Sequence, residues 1–235
     1  HHLRRSEDIP FWKALAETWG DPILELGCGT GRVLLNLVRL GCTTTGLDNN
    51  PKMLAFLRAS YKLETYPNLV IIQDDMADFQ LETHFSLIIL PCNTYSTFQS
   101  RTRQAILCAV RSHLSPGGIF AFSIPNPAIL AELPVTGEPD LEDNFPHPQT
   151  GFPIQVFSSW ERGPESVSFH WRYDLLHPTG NVTSVTASAS HVLDPANVYL
   201  DELQAAGLIP VTAYGQYDRA PYTPDSTYLI VLATL

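Results

Sequence analysis

The sequence predicts an α/β fold: a mostly parallel sheet built from strands alternating with helices, into which an antiparallel β meander is inserted late in the chain. Three observations carry this. Between residues 23 and 124, short apolar segments of strand length recur, most of them separated by segments with helical apolar spacing, the pattern of βαβ units on a parallel sheet. The first of these strands runs straight into a glycine-rich turn that opens a helix. After Ile124 the texture changes, because seven of the nineteen prolines fall in residues 125–153 and alternating, strand-like segments follow.

The elements follow in order. Asp8-Ile9-Pro10 reads as a cap and first-turn proline for a helix carrying Phe11, Trp12, Leu15, Ala16 and Trp19, stopped by Gly20-Asp21-Pro22. Ile23–Leu26 is a strand leading into Gly27-Cys28-Gly29-Thr30-Gly31, and Val33, Leu34, Leu37 and Val38 mark a helix ended by Gly41. Strands are expected at Thr43–Leu47, ending on Asp48; at Leu69–Gln73, ending on Asp74-Asp75; at Phe85–Leu90; and at Ile119–Ile124, after a Ser115-Pro116-Gly117-Gly118 turn. Helices are expected over 51–62 and 101–114. Residues 125–153 read as a long irregular loop, followed by three meander strands near 153–161, 166–176 and 182–192. Asp194-Pro195 caps a helix through Ala206, and 209–214 with 227–232 form a closing strand pair.

Composition narrows the function. The chain of 235 residues is within single-domain range, and its 44% apolar content supplies a core. No apolar run approaches the roughly 18 residues of a membrane span. The net charge is −10 and is unevenly placed: residues 1–111 carry 11 basic and 11 acidic side chains, residues 112–235 carry 3 and 13. Phosphate backbones bind through Lys and Arg, so a nucleic-acid partner is disfavoured and a neutral or basic small molecule fits better. Cys28, Cys42, Cys92 and Cys108 form no C-x-x-C pair and have no clustered histidines, which argues against a zinc site and for reduced thiols in a cytoplasmic protein.

The segment Glu25-Leu26-Gly27-Cys28-Gly29-Thr30-Gly31 carries most of the chemistry. Glycines admit tight turns and close backbone approach, and helix N-termini favour anions. The third glycine comes one position too early for a dinucleotide G-x-G-x-x-G, and Glu25 would repel a pyrophosphate, which argues against a nicotinamide dehydrogenase. Glu25 suits a ligand that carries a cation or needs a hydrogen-bond acceptor. A plain strand-to-helix turn is the alternative reading.

This motif, with Asp48 ending the second strand, Asp75-Met76 following the third, and Ser115-Pro116-Gly117-Gly118 before the fifth, resembles that of the class I S-adenosylmethionine-dependent methyltransferases. The resemblance implies a Rossmann-like doubly wound sheet with an antiparallel C-terminal strand, in a single domain of residues 1–235 with a substrate-side insertion at about 125–193. It also implies a set of S-adenosylmethionine-binding positions. Glu25, Gly27, Gly29 and Gly31 form the first motif, Asp48 meets the ribose hydroxyls, and Asp75 and Met76 read and pack the adenine. Asn49 and Met53 join the pocket by position, although Met53 also fits an ordinary helix core with Leu54 and Leu57. Arg5 or Arg4 is a candidate for the cofactor's carboxylate, with solvated N-terminal arginines as the alternative.

After the fourth strand comes Leu90-Pro91-Cys92-Asn93-Thr94-Tyr95, where this superfamily keeps residues beside the transferred methyl. The N-P-P-Y of base-methylating enzymes is absent. Trp171-Arg172-Tyr173-Asp174 resembles a W-x-Y-D of bacterial small-molecule members, whose layout is shared by glycine and aminosugar N-methyltransferases. General-base candidates are His147, His170, His191, Tyr95, Tyr173 and Tyr217, and Asn93, Tyr95, Tyr173 and His170 are taken as the catalytic set. Strand alternation puts Phe169, Trp171 and Tyr173 on one face and His170 and Arg172 on the other. The acids and aromatics of 112–235 point to an amine acceptor, held between the meander and residues 125–150 over Asn93 and Tyr95. O-methylation of a small metabolite and non-catalytic cofactor binding remain open.

Overall fold

A computed structural model describes residues 6–61 and 65–235. Eight of its elements make the sheet core: strands β1 (Ile23–Leu26), β2 (Thr44–Asp48), β3 (Leu69–Gln73), β4 (Phe85–Leu90) and β5 (Leu114–Pro125), and helices α1 (Ile9–Trp19), α2 (Leu34–Arg39) and α3 (Pro51–Ser60). Helix α4 (Ser100–His113) links β4 to β5, a short helix α5 (Pro127–Glu132) follows, and β6 (Thr136–Pro146), β7 (Pro153–Arg162), β8 (Ser166–Leu176) and β9 (Val182–Val192) form a second sheet. Helix α6 (Ala196–Ala205) returns the chain to β10 (Ile209–Tyr214) and β11 (Tyr228–Thr234).

The main sheet has the order β10-β11-β5-β4-β1-β2-β3, with β1 to β5 parallel and β11 antiparallel to both β5 and β10. Its strands are near-continuous apolar runs because both faces are covered. On one face Ile23, Leu87, Ile89 and Ile119 pack with Phe11, Trp12 and Leu15 of α1 and Leu37 of α2. On the other, Leu24, Leu26, Ile88, Phe120 and Phe122 pack with Ile106 and Val110 of α4 and Tyr199 and Leu203 of α6. From β1 the chain winds outward through β2 and β3, then crosses back to β4 on β1's other side. The crevice between the C-terminal ends of β1 and β4 is therefore the switch point where such sheets bind ligands. The second sheet is antiparallel throughout, in the order β6-β7-β8-β9.

Four sequence expectations need correction. The segment read as an irregular loop holds α5 and β6, so the meander has four strands; Pro139 and Pro146 are accommodated because β6 is an edge strand with two register shifts against β7. The Ser115–Gly118 turn is a bulged part of β5, whose pairing jumps from Phe85↔Leu114 to Leu87↔Ile119. Asp8 does not cap α1: its carboxylate accepts from Arg32 Nη1 at 2.5 Å, Arg32 Nη2 at 2.6 Å and Trp12 Nε1 at 3.0 Å. Asp194 does not cap α6 either, because it pairs with the buried Arg103 at 2.5 Å. In both places a guanidinium outcompetes the orphan helix N–H groups for the carboxylate.

Candidate functional site

The glycine turn follows β1 at the switch point. Gly27 and Gly29 have φ of +66° and +54°, values open to glycine at little cost. Gly29 N–H donates to Asp48 Oδ2 at 2.7 Å, and Asn50 N–H donates to Asp48 Oδ1 at 2.8 Å, so the carboxylate at the end of β2 is held in place by the backbone on both sides. Each of its oxygens keeps a further lone pair. A side chain on Gly27 would come within 3.3 Å of Met76 Cε and 3.8 Å of Thr94 Cγ2, so the turns after β1, β3 and β4 meet there. Asp75 is exposed and accepts from Ala77 N–H at 2.9 Å. Asn49 is exposed and Met53 is 45% exposed, against the helix-core reading of Met53; Asn50 caps α3 instead. Arg5 lies outside the described residues.

Gly31 serves packing. A Cβ there would lie 2.6 Å from Leu57 Cδ1 and 3.2 Å from Leu35, so the third glycine lets α2 close on α3. The packing of the two helices thus requires glycine there whatever its backbone meets.

Glu25 faces the α1–α2 side of β1 and is 2% exposed. Burial pushes its carboxyl well above the usual range, with the Arg32 guanidinium opposing that and Asp8 and Asp48 reinforcing it. Its Oε2 has no hydrogen-bond partner among the described residues, and neither has Asn93 Oδ1. Buried polar atoms are nearly always paired, so these two oxygens, one in β1 and one in the turn after its neighbour β4, are open to donors.

Beyond β4, Cys92 and Asn93 both adopt left-handed φ, 65° and 62°, before a 3-10 turn at Thr94–Thr97. Cysteine tolerates that conformation poorly. This turn is the floor of a cavity of about 670 Å³ whose far wall is the inner face of the meander. Trp160, Phe169, Trp171 and Tyr173 line that wall, and Phe169 and Trp171 are stacked with centroids 6.0 Å apart. Glu142 of β6 accepts from Trp171 Nε1 at 2.9 Å. Glu7, Asp8 and Arg32 close the α1 side, and Tyr217 and Tyr228 the side of the closing strands.

Asn93 and Tyr173 line this cavity, whereas the other two proposed catalytic residues do not. His170 is exposed on the opposite face of the meander, because successive residues of β8 alternate and it sits between the inward Phe169 and Trp171. Tyr95 is wholly buried, its ring 4.6 Å from that of Phe122 and its hydroxyl without a partner among the described residues, so it packs under the floor without reaching the space above. Both expectations are corrected. Tyr217 reaches the cavity, but its hydroxyl donates to Ser123 Oγ at 3.2 Å and burial raises its pKa. His147 lies between β6 and β7, with Nδ1 accepting from Gln149 and Thr150 N–H at 3.3 Å each. His191, named above only among several bases, does line the cavity. The alternation of Ala187, Ala189 and His191 on one face of β9 is legible in the sequence, but the register that turns this face inward is not.

Residues 23–118 match the family model described as a methyltransferase domain. Over this segment the chain is similar to methyltransferase domains. The segment's N-terminal boundary is β1 and its C-terminal boundary the bulge in β5, so the match covers the glycine turn, Asp48, Asp75 and the Asn93 turn but not the meander. The putative methyltransferase YqeM of Bacillus subtilis (strain 168) is 27% identical over 115 residues, 47% of this chain and 45% of that protein. The chain spans about half the length of the curated relatives it matches. Two solved structures share the fold across nearly the whole chain. The S-adenosylmethionine-dependent methyltransferase of Clostridium acetobutylicum has a TM-score of 0.81 at 16% identity, covering 97% of this chain and 92% of that one. The sugar N-methyltransferase KedS8 of Streptoalloteichus has a TM-score of 0.75 at 20% identity, covering 98% and 87%. At these identities the likeness is one of fold, meander included. The glycopeptide N-methyltransferase MtfA, 20% identical with a TM-score of 0.65, has been solved in complex with S-adenosyl-L-homocysteine and with S-adenosyl-L-methionine.

Proposed function

We propose that the protein is an S-adenosylmethionine-dependent methyltransferase acting on a small molecule, with an amine as the acceptor. The observation that carries this reading is the pair of orphaned buried oxygens, Glu25 Oε2 in β1 and Asn93 Oδ1 in the turn after β4, the two strands that flank the switch-point crevice. A ligand bearing a cation and N–H donors satisfies both, so the residues present fit this cofactor. Gly27 and Gly29 give it close backbone approach. Asp48 offers acceptor lone pairs to the ribose hydroxyls, and Asp75 and Met76 stand at the third turn for the adenine. Bound S-adenosylmethionine supplies a methyl group on a sulfonium centre, open to in-line displacement by a nucleophile.

Positioning is the main requirement of such a transfer. Asn93 and Thr94 join the glycine turn to the aromatic cavity, and the meander forms the far wall of that cavity. The aromatic faces of Trp160, Trp171 and Tyr173, with Glu7 and Glu142, favour a cationic or neutral acceptor. The printed description of KedS8 as a sugar N-methyltransferase supports the same choice.

Calorimetric titration with S-adenosylhomocysteine tests the cofactor half, and binding at micromolar affinity is expected where NADH shows none. Asp48→Ala should weaken that binding by about 1–3 kcal/mol, the cost of losing a charged hydrogen-bonding partner. A screen of amines, phenols and carboxylates for S-adenosylhomocysteine release tests the acceptor half. Turnover confined to carboxylates or phenols would replace the amine reading, and no binding at high micromolar ligand would end the methyltransferase reading.

A further inference from the structure

His191 stands at the C-terminal end of β9, 6% exposed, on the wall of the acceptor cavity. Its Nδ1 lies 2.8 Å from Ser96 Oγ, and the Ser96 hydroxyl donates to the carbonyl of Asn93 at 3.0 Å. A hydroxyl has one proton to give. With that proton on the Asn93 carbonyl, Ser96 Oγ faces His191 as an acceptor, and Nδ1 must be the donor. The Nδ1–H tautomer, with the lone pair on Nε2, is the one in which both Ser96 contacts are hydrogen bonds. The Phe169 ring, edge-on at 5.8 Å, holds the imidazole plane from the neighbouring strand. Burial pulls the pKa of His191 down to about 4, so the ring is neutral near pH 7. The charged groups of the same cavity are Glu7, Asp8, Glu142 and Arg32, and Arg32 is engaged by Asp8.

We propose that His191 Nε2, its tautomer set by Ser96, is the hydrogen-bond acceptor that receives the N–H or O–H of the methyl acceptor's nucleophilic atom. The proposal rests on the methyltransferase reading and deepens it. Through Ser96 the imidazole is tied to the carbonyl of Asn93, the residue at the border with the glycine turn, so it is indexed to the place where transfer occurs. An acceptor that directs its X–H to Nε2 keeps the lone pair of the same atom free for the methyl group. A neutral imidazole accepts this bond, and an imidazolium cannot. The site therefore demands an acceptor with a hydrogen on its nucleophile, a primary or secondary amine or a hydroxyl, and rejects tertiary amines.

Long-range ¹⁵N NMR of the histidines in the full chain, with the His191 signal identified by its loss in His191→Gln, tests the assignment without turnover. The Nδ1–H pattern is expected from pH 8 to pH 5.5 without titration, and Ser96→Ala should abolish the tautomer preference. An Nε2–H pattern, or titration near pH 6.5, would overturn the proposal whatever the enzyme methylates. With the acceptor that the screen identifies, His191→Gln should lower kcat/KM tenfold or more while the Kd for S-adenosylhomocysteine stays within twofold. Unchanged kcat/KM, or a tertiary amine methylated as fast as a secondary one, would also overturn it. Failure of the parent protein to bind S-adenosylhomocysteine would instead overturn the methyltransferase reading and leave the tautomer assignment standing.

Discussion

Glu25 is held at a cost that its surroundings set. Burial raises its pKa, so over the range between the ordinary carboxylate value and the raised native one, the native chain holds a proton that the unfolded chain has lost. Stability from this group is full at low pH and declines as pH rises through that window. Glu25→Gln removes the decline: its melting temperature should exceed the parent's at pH 8, and the difference should shrink toward pH 4. The same variant should bind S-adenosylhomocysteine more weakly, since an amide offers no charge to a cation. Thermal scans across pH, paired with calorimetry, check both, and equal melting temperatures at pH 8 would mean that the carboxylate is not desolvated.

At the scale of elements, the glycines after β1 divide their work. Gly31→Ala puts a methyl 2.6 Å from Leu57 Cδ1 and should destabilise the fold by about 1–3 kcal/mol through overpacking of α2 on α3. Gly29→Ala meets nothing nearer than 3.9 Å in the protein, so beyond the strain of its positive φ its effect should fall on S-adenosylhomocysteine affinity. Urea unfolding and calorimetry separate the two losses. Helices α4 and α6 are joined by Arg103, which is fully buried, bonds Glu202 through Nε and Nη2 at 2.8 Å each, and lies over the Tyr199 ring at 4.6 Å. Arg103→Met leaves Glu202 buried without its cation and should cost about 3–5 kcal/mol. Adding Glu202→Leu should recover much of that loss, because the stranded charge is then gone; the double variant's unfolding midpoint measures it.

Over the whole molecule, the joint between the two sheets responds to acid. His191 on the meander bonds Ser96 beside the main sheet, and burial holds its pKa near 4, below the unfolded value of 6.5. As pH falls through that interval the unfolded chain takes up a proton that the native chain refuses, so stability is lost, up to about 3 kcal/mol. The slope is opposite in sign to that from Glu25 and lies at higher pH than an ordinary carboxylate's. In His191→Gln the fall in stability from pH 6.5 to pH 4 should be shallower by this amount, as read from urea midpoints at each pH.

The sequence by itself determined the order of the elements of the main sheet, the glycine turn after β1, Asp48 and Asp75 at or just past strand ends, and the inward face of β8. Each of these is a local matter: backbone freedom at glycine, a period of two along a strand, apolar runs where both faces of a sheet are covered. Tertiary structure decided what depends on partners distant along the chain. Asp8 and Asp194 read as helix caps until Arg32 and Arg103 came within reach, and β6 was hidden because its prolines are tolerable only on an edge. Tyr95 sank beneath the floor that Asn93 lines, since the turn after β4 folds down onto Phe122. His170 and His191 were separated by register alone, as the pairing of β8 with β9 and their packing over the Asn93 turn set which imidazole faces the cavity.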